Sequence, residues 1–251
     1  MTAAAVAIAA EEVPALREHA RRLPKWRDCT LIDAEVVVQL LRRSAASVAV
    51  ASMTKDPQQW PQFWDAAKPL HDAIVAQDRE RAGFIQPANV ALFALLVHVY
   101  GMAIGHAIRV SRGSRILDYR GLELVERTIV CDTDLQGDEN ISVFKSFWER
   151  SDRHQPRMAE AGFRFVTSDI IVTTEQEEPL LILADYAAGV AHSALIENPG
   201  RLRLPVPHQE SKTLLERLQD SGKLVVLDKP FDVEYPEVFG ETLVAAGKGT
   251  R

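Results

Sequence analysis

The sequence predicts a mixed α/β fold. Alternating or β-branched runs such as "SVAVASM" at 47–53 and "FRFVTSDIIVTT" at 163–174 read as strands. Amphipathic or wholly apolar stretches of helical length lie between them, and a composition of 47% hydrophobic and 25% charged residues suits a soluble globular chain with a sizeable core. No internal repeat or low-complexity tract is visible.

In chain order, "AAAVAIAA" at 3–10 reads as a short strand or a helix start, alanine's propensity favouring helix. Residues 13–22 read as an amphipathic helix that tolerates Pro14 in its first turn. A second helix is expected over 33–44, N-capped by Asp33. The strand at 47–53 gives way to "KDPQQWPQFW", where two prolines break regular structure, and a helical segment follows through 68–80. A long apolar helix comes next, from Asn89 to about Arg109. "RTIVCD" at 127–132 reads as a buried strand whose last residue, Asp132, faces a crevice. A helix carrying Phe144, Phe147 and Trp148 is then expected, capped by Asp138 or Asn140.

After the 163–174 strand, "EQEEPLLILADYAAGVAHSAL" reads as one helix with Pro179 and three glutamates in its first turn, stopped by Asn198, Pro199 and Gly200. The remainder holds an amphipathic helix around Leu214, Leu215 and Leu218 and the strand-like "KLVVLD". It reads as an extension, which divides the chain into a domain at 1–200 and a C-terminal extension at 201–251.

Charge and cysteines narrow the function classes. A formal net charge of -6 and a pI near 5.7 give no basic field to attract polyphosphate, so any nucleic-acid contact must come from a local patch. Arg109, Arg112 and Arg115, with Arg42 and Arg43, are the local sources. Cys29 and Cys131 form neither a disulfide framework nor zinc-ligand spacing, as expected in a reducing cytoplasm. The stretch 90–108 lacks Asp, Glu, Lys and Arg, but two histidines, two glycines and the lack of aromatic flanks favour a helix wrapped by protein over a membrane span. Its Gly101 and Gly105 form a small-xxx-small step that permits close helix packing. His98 and His106 are too far apart for a two-ligand helical turn and read as internally paired core histidines. No nucleophile elbow, P-loop, Rossmann glycine pattern or HExxH occurs.

What remains is carboxylate chemistry. Asp185 stands alone in the apolar run "LILADYAAGVAHSALI", where an unpaired buried charge would cost several kcal/mol, roughly. On a helix, Asp185, Gly189 and His192 share a face, and the bare glycine lets a neighbouring strand approach the carboxylate. The alternative is that Asp185 accepts from a buried hydroxyl or backbone amide. Asp132, with Asp134 two positions on, offers oxygen ligands at a strand end, as Mg²⁺ or Mn²⁺ requires, although "DTDLQGDEN" is also rich in turn formers. Asp169 and the Lys55-Asp56 pair could add charge near such a site or simply solvate strand ends.

A strand ending "IVCD", a helix, a strand ending near "TSD" and a helix reading "LILADYAAG" together resemble the bacterial domain-of-unknown-function family thirty-eight hundred, whose members look like a ribonuclease H-like fold. The match rests on Leu183, Ala184, Asp185, Ala188 and Gly189, with "VTSDIIV" and "VASMTKD" in the order of the family's strands, and spans roughly 5–196. The resemblance implies a ribonuclease H-like mixed sheet flanked by helices, with a helical insertion. It also implies acidic residues on the first strand, the fourth strand and the last helix converging on metal.

Asp132 and Asp185 take two of those positions. The family's first-strand Asp-Glu-Ser-Gly has no counterpart before Ala5. A degenerate site, a start codon assigned downstream of the true one, or substitution by Glu11, Glu12 or Asp33 would each account for this, and "AAAVAIAA" would then be the family's second strand. The expectation is a cytoplasmic, metal-dependent nuclease-like protein, weak or inactive, with Asp132, Asp134 and Asp185 toward Mg²⁺ or Mn²⁺, His192 as general acid/base or phosphate contact, and nucleic acid as partner. The alternative is a non-enzymatic binding or assembly protein that uses apolar helices for a homodimer or a partner.

Overall fold

Alanine's helical preference yields to strand pairing at the start of the chain. In the computed structural model Thr2–Ile8 is a strand, β1, paired antiparallel along its whole length with β2, Ala46–Ser52, from Thr2 opposite Ser52 to Ile8 opposite Ala46. Ala4, Val6 and Ile8 pack against the main core, Ala3 and Ala5 are buried on the opposite face, and β2 is buried on both faces from Ala46 to Ala51, so successive residues serve two covered sides of the sheet. The structure describes residues 2–52, 72, 99–100, 103, 106–107, 123–132, 163–196, 199 and 203–227.

Contacts divide the chain into two units. Unit 1 comprises Met1–Thr54, His98–Ser114 and Thr174–Pro230, and unit 2 comprises Lys55–Val97, Arg115–Thr173 and Phe231–Arg251. Within unit 1, a single 3-10 turn at Ala10–Glu12 leads into α1, Val13–Ala20, with Pro14 in the first turn as expected. A second 3-10 turn, Trp26–Asp28, precedes α2, Leu31–Arg43. The cap of α2 differs from the expectation: Thr30, not Asp33, is the N-cap. The Thr30 hydroxyl accepts from the Asp33 N–H, and the Asp33 carboxylate accepts in return from the Thr30 N–H at 2.8 Å. This reciprocal box satisfies two end donors where a lone Asp33 cap would satisfy one. Arg42 and Arg43 end α2, where the helix dipole favours cations.

The late helix also starts later than the sequence suggests. Residues 174–180 form turns, and α3 runs Leu181–Leu195. Its acidic approach is used in tertiary ion pairs instead of the helix dipole. Most of α3 is buried, including Leu183, Tyr186, Val190 and Ala191, as it packs against β1, β2 and α2.

The stretch read as an extension contributes two elements to the same unit. These are α4, His208–Asp220, packed on α3, and β5, Leu224–Leu227, paired parallel with β2. Leu214, Leu215 and Leu218 of α4 enter the common core. Gly222 makes the turn between the two elements with φ +68, a conformation that L side chains avoid. The His208 ring N–H donates to the Ser193 carbonyl, and Lys223 Nζ donates to the Ser44 carbonyl, pinning both elements. The sheet of unit 1, ordered β1-β2-β5, is therefore mixed, and the architecture is mixed α/β.

His106 meets its expectation as an internally paired histidine. It is buried, with Nδ1 hydrogen-bonded to the Ser47 hydroxyl at 2.6 Å. His98, Gly101, Gly105, Phe144, Phe147, Trp148, Lys55, Asp56, Arg109, Arg112 and Arg115 lie outside the described residues. No helix among the described residues is long and apolar enough to cross a membrane. Neither Cys29 nor Cys131 forms a disulfide, and both are buried.

In unit 2, β3, Glu123–Asp132, pairs parallel with β4, Phe163–Thr173. The register slips by one residue at Ser168, so that Thr128 faces Asp169. Such a bulge accommodates a carboxylate within a strand. Asp169 is exposed and its Oδ1 accepts from the Ile170 N–H at 2.8 Å, a local hydrogen bond; the strand runs on to Thr173.

Candidate functional site

The lone carboxylate of α3 has a partner that no local signal announces. Asp185 Oδ2 accepts the backbone N–H of Trp26 at 2.9 Å, across 159 residues of sequence. The Trp26 ring then meets the Tyr186 ring edge to face, with centroids 5.6 Å apart and planes at 79°, a favoured geometry for aromatic pairs. One turn further along α3, a Cβ on Gly189 would overlap the Trp26 indole. The bare glycine therefore makes room for a tryptophan ring, where the sequence suggested an approaching strand. The Asp-Tyr-x-x-Gly spacing of α3 is a clasp: the carboxylate takes the Trp26 backbone, the neighbouring tyrosine pairs with the indole, and the glycine makes room for it.

Ion pairs reinforce this docking. Arg17 of α1 grips Glu178 with two nitrogens, at 3.0 and 2.7 Å, and Lys25 pairs with Glu175 at 2.9 Å. Both glutamates are largely covered, with side chains 17% and 12% exposed. Burial is the largest single influence and opposes their charge, yet the hydrogen bonds from Lys25 and Arg17, backbone N–H donors and the nearby cations together outweigh it and hold both carboxyls below their usual range.

Beneath the clasp, the Tyr186 hydroxyl is buried beside the Cys29 thiol, which it meets without a well-formed hydrogen bond. Burial pushes the nearby Cys29 thiol up to about 11, so it stays protonated at neutral pH.

His192 is half-buried, with its Nδ1 3.3 Å from the Thr2 hydroxyl of β1. Desolvation lowers its pKa from the ordinary 6.5, so the imidazole is neutral near pH 7. The fold thus binds protons less readily than the unfolded chain at His192, Glu175 and Glu178. For all three, the stabilising contribution is complete above the unfolded pKa and is lost as pH falls through the folded value. Stability of unit 1 should therefore decline in two stages on acidification, first below 6.5 from His192 and then below 4.5 from the glutamates. Urea midpoints measured from pH 8 to 3 check this, and a His192→Gln variant should lose the first stage alone.

Asp132 ends β3 opposite Thr173 and is half-buried in unit 2, whereas Asp185 and His192 belong to unit 1. Asp134 lies outside the described residues. The three acids considered as replacements for a first-strand carboxylate have local surroundings of their own. Asp33 closes the α2 capping box, Glu12 Oε1 accepts from the Ala45 N–H at 3.4 Å, and Glu11 is exposed. Among the described residues no group of three or more His, Cys, Asp and Glu gathers closely enough to hold a metal ion. Sequence reasoning missed Trp26 altogether. The available signal was Gly189 four residues after Asp185, which marked a close approach without naming what approaches.

Comparison with protein-family models, curated proteins and solved structures gives no match to this chain.

Proposed function

We propose that the chain is a ribonuclease H-like protein related to the bacterial domain-of-unknown-function family thirty-eight hundred, acting as a weak, metal-dependent nuclease-like protein on nucleic acid. One observation carries the reading: Asp185 is a half-buried carboxylate on a helix of small residues, and a backbone N–H helps to fix its orientation. Outer partners of that kind orient a metal-ligating carboxylate.

Asp185 has the hard-oxygen chemistry that suits Mg²⁺ or Mn²⁺, the chemistry that the sequence also offers at Asp132 and Asp134. Such an ion would supply Lewis-acid stabilisation and an acidified water in phosphodiester hydrolysis. His192, held neutral by desolvation, is suited to accept a proton.

Assays of single- and double-stranded DNA and RNA with Mn²⁺ test the proposal. Wild type should cleave at least one substrate slowly, and Asp185→Asn should cleave it about tenfold more slowly or worse. Equal rates in both proteins, or no cleavage in either, remove the catalytic claim.

A second reading, a non-enzymatic assembly protein, draws on Ile32 and Val36, which lie one turn apart on α2 and are 70% and 43% exposed. Light scattering that finds a monomer at micromolar concentration counts against self-assembly.

A further inference from the structure

Helix α2 turns one side to the core and the other to solvent. Ala34, Val37, Val38 and Leu41 are buried, whereas Ile32 and Val36 are exposed. Ile32, Val36, Gln39 and Arg43 follow one another at spacings of four, three and four residues, so they form a single stripe along the outer side. That spacing makes the seam of two helices packed side by side, and a polar residue within such a seam fixes its register.

The stripe is apolar at its N-terminal end and cationic at its C-terminal end. Arg43 is exposed and enters no ion pair among the described residues. Acids flank the apolar end. Asp28, four residues before Ile32, is exposed and bridged to its sequence neighbour Arg27. Glu35, three residues after Ile32, is half-buried and meets Arg217 at 3.6 Å, too long for a hydrogen bond. Exposed pairs of this kind contribute little to stability, so both acids are open to a better partner.

We propose that α2 docks antiparallel on α2 of a second copy of this chain, across a two-fold axis. This pairing rests on the assembly reading, whose partner and geometry it names, and is independent of the nuclease-like one. Charge decides both the partner and its direction. An antiparallel copy sets each Arg43 over the partner's Ile32, between the acids at Asp28 and Glu35, while the arginine stem covers the exposed isoleucine. The two Val36 side chains then lie beside the axis, each near the partner's Gln39. A parallel copy would instead set Arg43 on Arg43 and align the two helix dipoles. The two-fold uses every contact twice, so the face completes itself and assembly stops at a dimer. A seam of four residues per copy is small beside those of stable complexes, which places the dimer in the micromolar range.

Analytical ultracentrifugation of the full chain from about 1 to 100 µM tests the pairing, and wild type should pass from monomer to dimer across that range. Val36→Glu, which brings two carboxylates beside the axis, should weaken dimerisation by about tenfold or more. Arg43→Glu and Glu35→Arg should each be monomeric alone, because each opposes like charges across the seam. An equimolar mixture of those two variants should recover a mixed dimer, in which every facing pair is again of opposite sign. All three sites face outward, and circular dichroism matching wild type checks that the fold is kept.

A wild type that stays monomeric throughout overturns self-assembly together with this pairing and leaves the face to a different protein. A dimer indifferent to all three substitutions forms elsewhere on the surface, so that assembly stands and the α2 pairing falls. A mixture that stays monomeric, when each variant alone is monomeric, overturns the antiparallel arrangement.

Discussion

Replacing Tyr186 by alanine is expected to destabilise unit 1 by about 3–5 kcal/mol, the usual range for emptying a buried aromatic site, whereas phenylalanine there should stay within about 1 kcal/mol of wild type. The ring is completely covered, sits in the main core cluster and meets Trp26 in a T-shaped contact, so alanine loses core packing and the aromatic pair together. The hydroxyl contributes little, because it is buried beside the Cys29 thiol without a well-formed hydrogen bond and its removal relieves a desolvated polar group. Urea unfolding followed by far-ultraviolet circular dichroism compares the two variants directly. A phenylalanine variant as unstable as the alanine one would mean that the hydroxyl has a binding partner of real strength, and the Cys29 thiol would be the first group to substitute.

The parts of this architecture that a sequence can disclose are those set by near neighbours. β2 is such a case, since "SVAVAS" alternates and its β-branched residues suit a pleated surface. So is α1, with its proline in the first turn. Where local signals compete, the sequence is ambiguous. Thr30 and Asp33 are both good caps, and only the geometry shows each serving the other. Glu175, Glu178 and Pro179 have the composition of a first helical turn, but Lys25 and Arg17, 150 and 161 residues away, recruit the two acids before the helix begins. "AAAVAI" is helical by propensity and a strand by pairing, because β2 offers seven backbone partners in register. "LVVL" is too short to place by itself and joins the sheet through a parallel neighbour far back in the chain. For the candidate site, the chemistry at Asp185 was legible as a choice between a metal ligand and an amide acceptor. The partner was not, since one sequence holds no record of which amide lies across a fold.

Asp185 can serve both roles, and alanine and asparagine substitutions separate them. Asp185→Ala leaves the Trp26 N–H facing a methyl group and is expected to cost about 1–3 kcal/mol, the penalty for stranding a covered donor. Asp185→Asn keeps an oxygen that can accept that N–H and loses only the charge, so it should cost clearly less. If the residue is solely a clasp, stability in Mg²⁺ or Mn²⁺ is indifferent to both substitutions, and melting temperatures of wild type and variants move together as the ion is titrated. If it is also a ligand, wild type gains stability with ion concentration by mass action, and the asparagine variant loses that gain while keeping most of its stability in the ion's absence. The two effects rest on different properties of the side chain. The clasp uses Oδ2 against Trp26, whereas coordination needs the negative charge, which asparagine lacks.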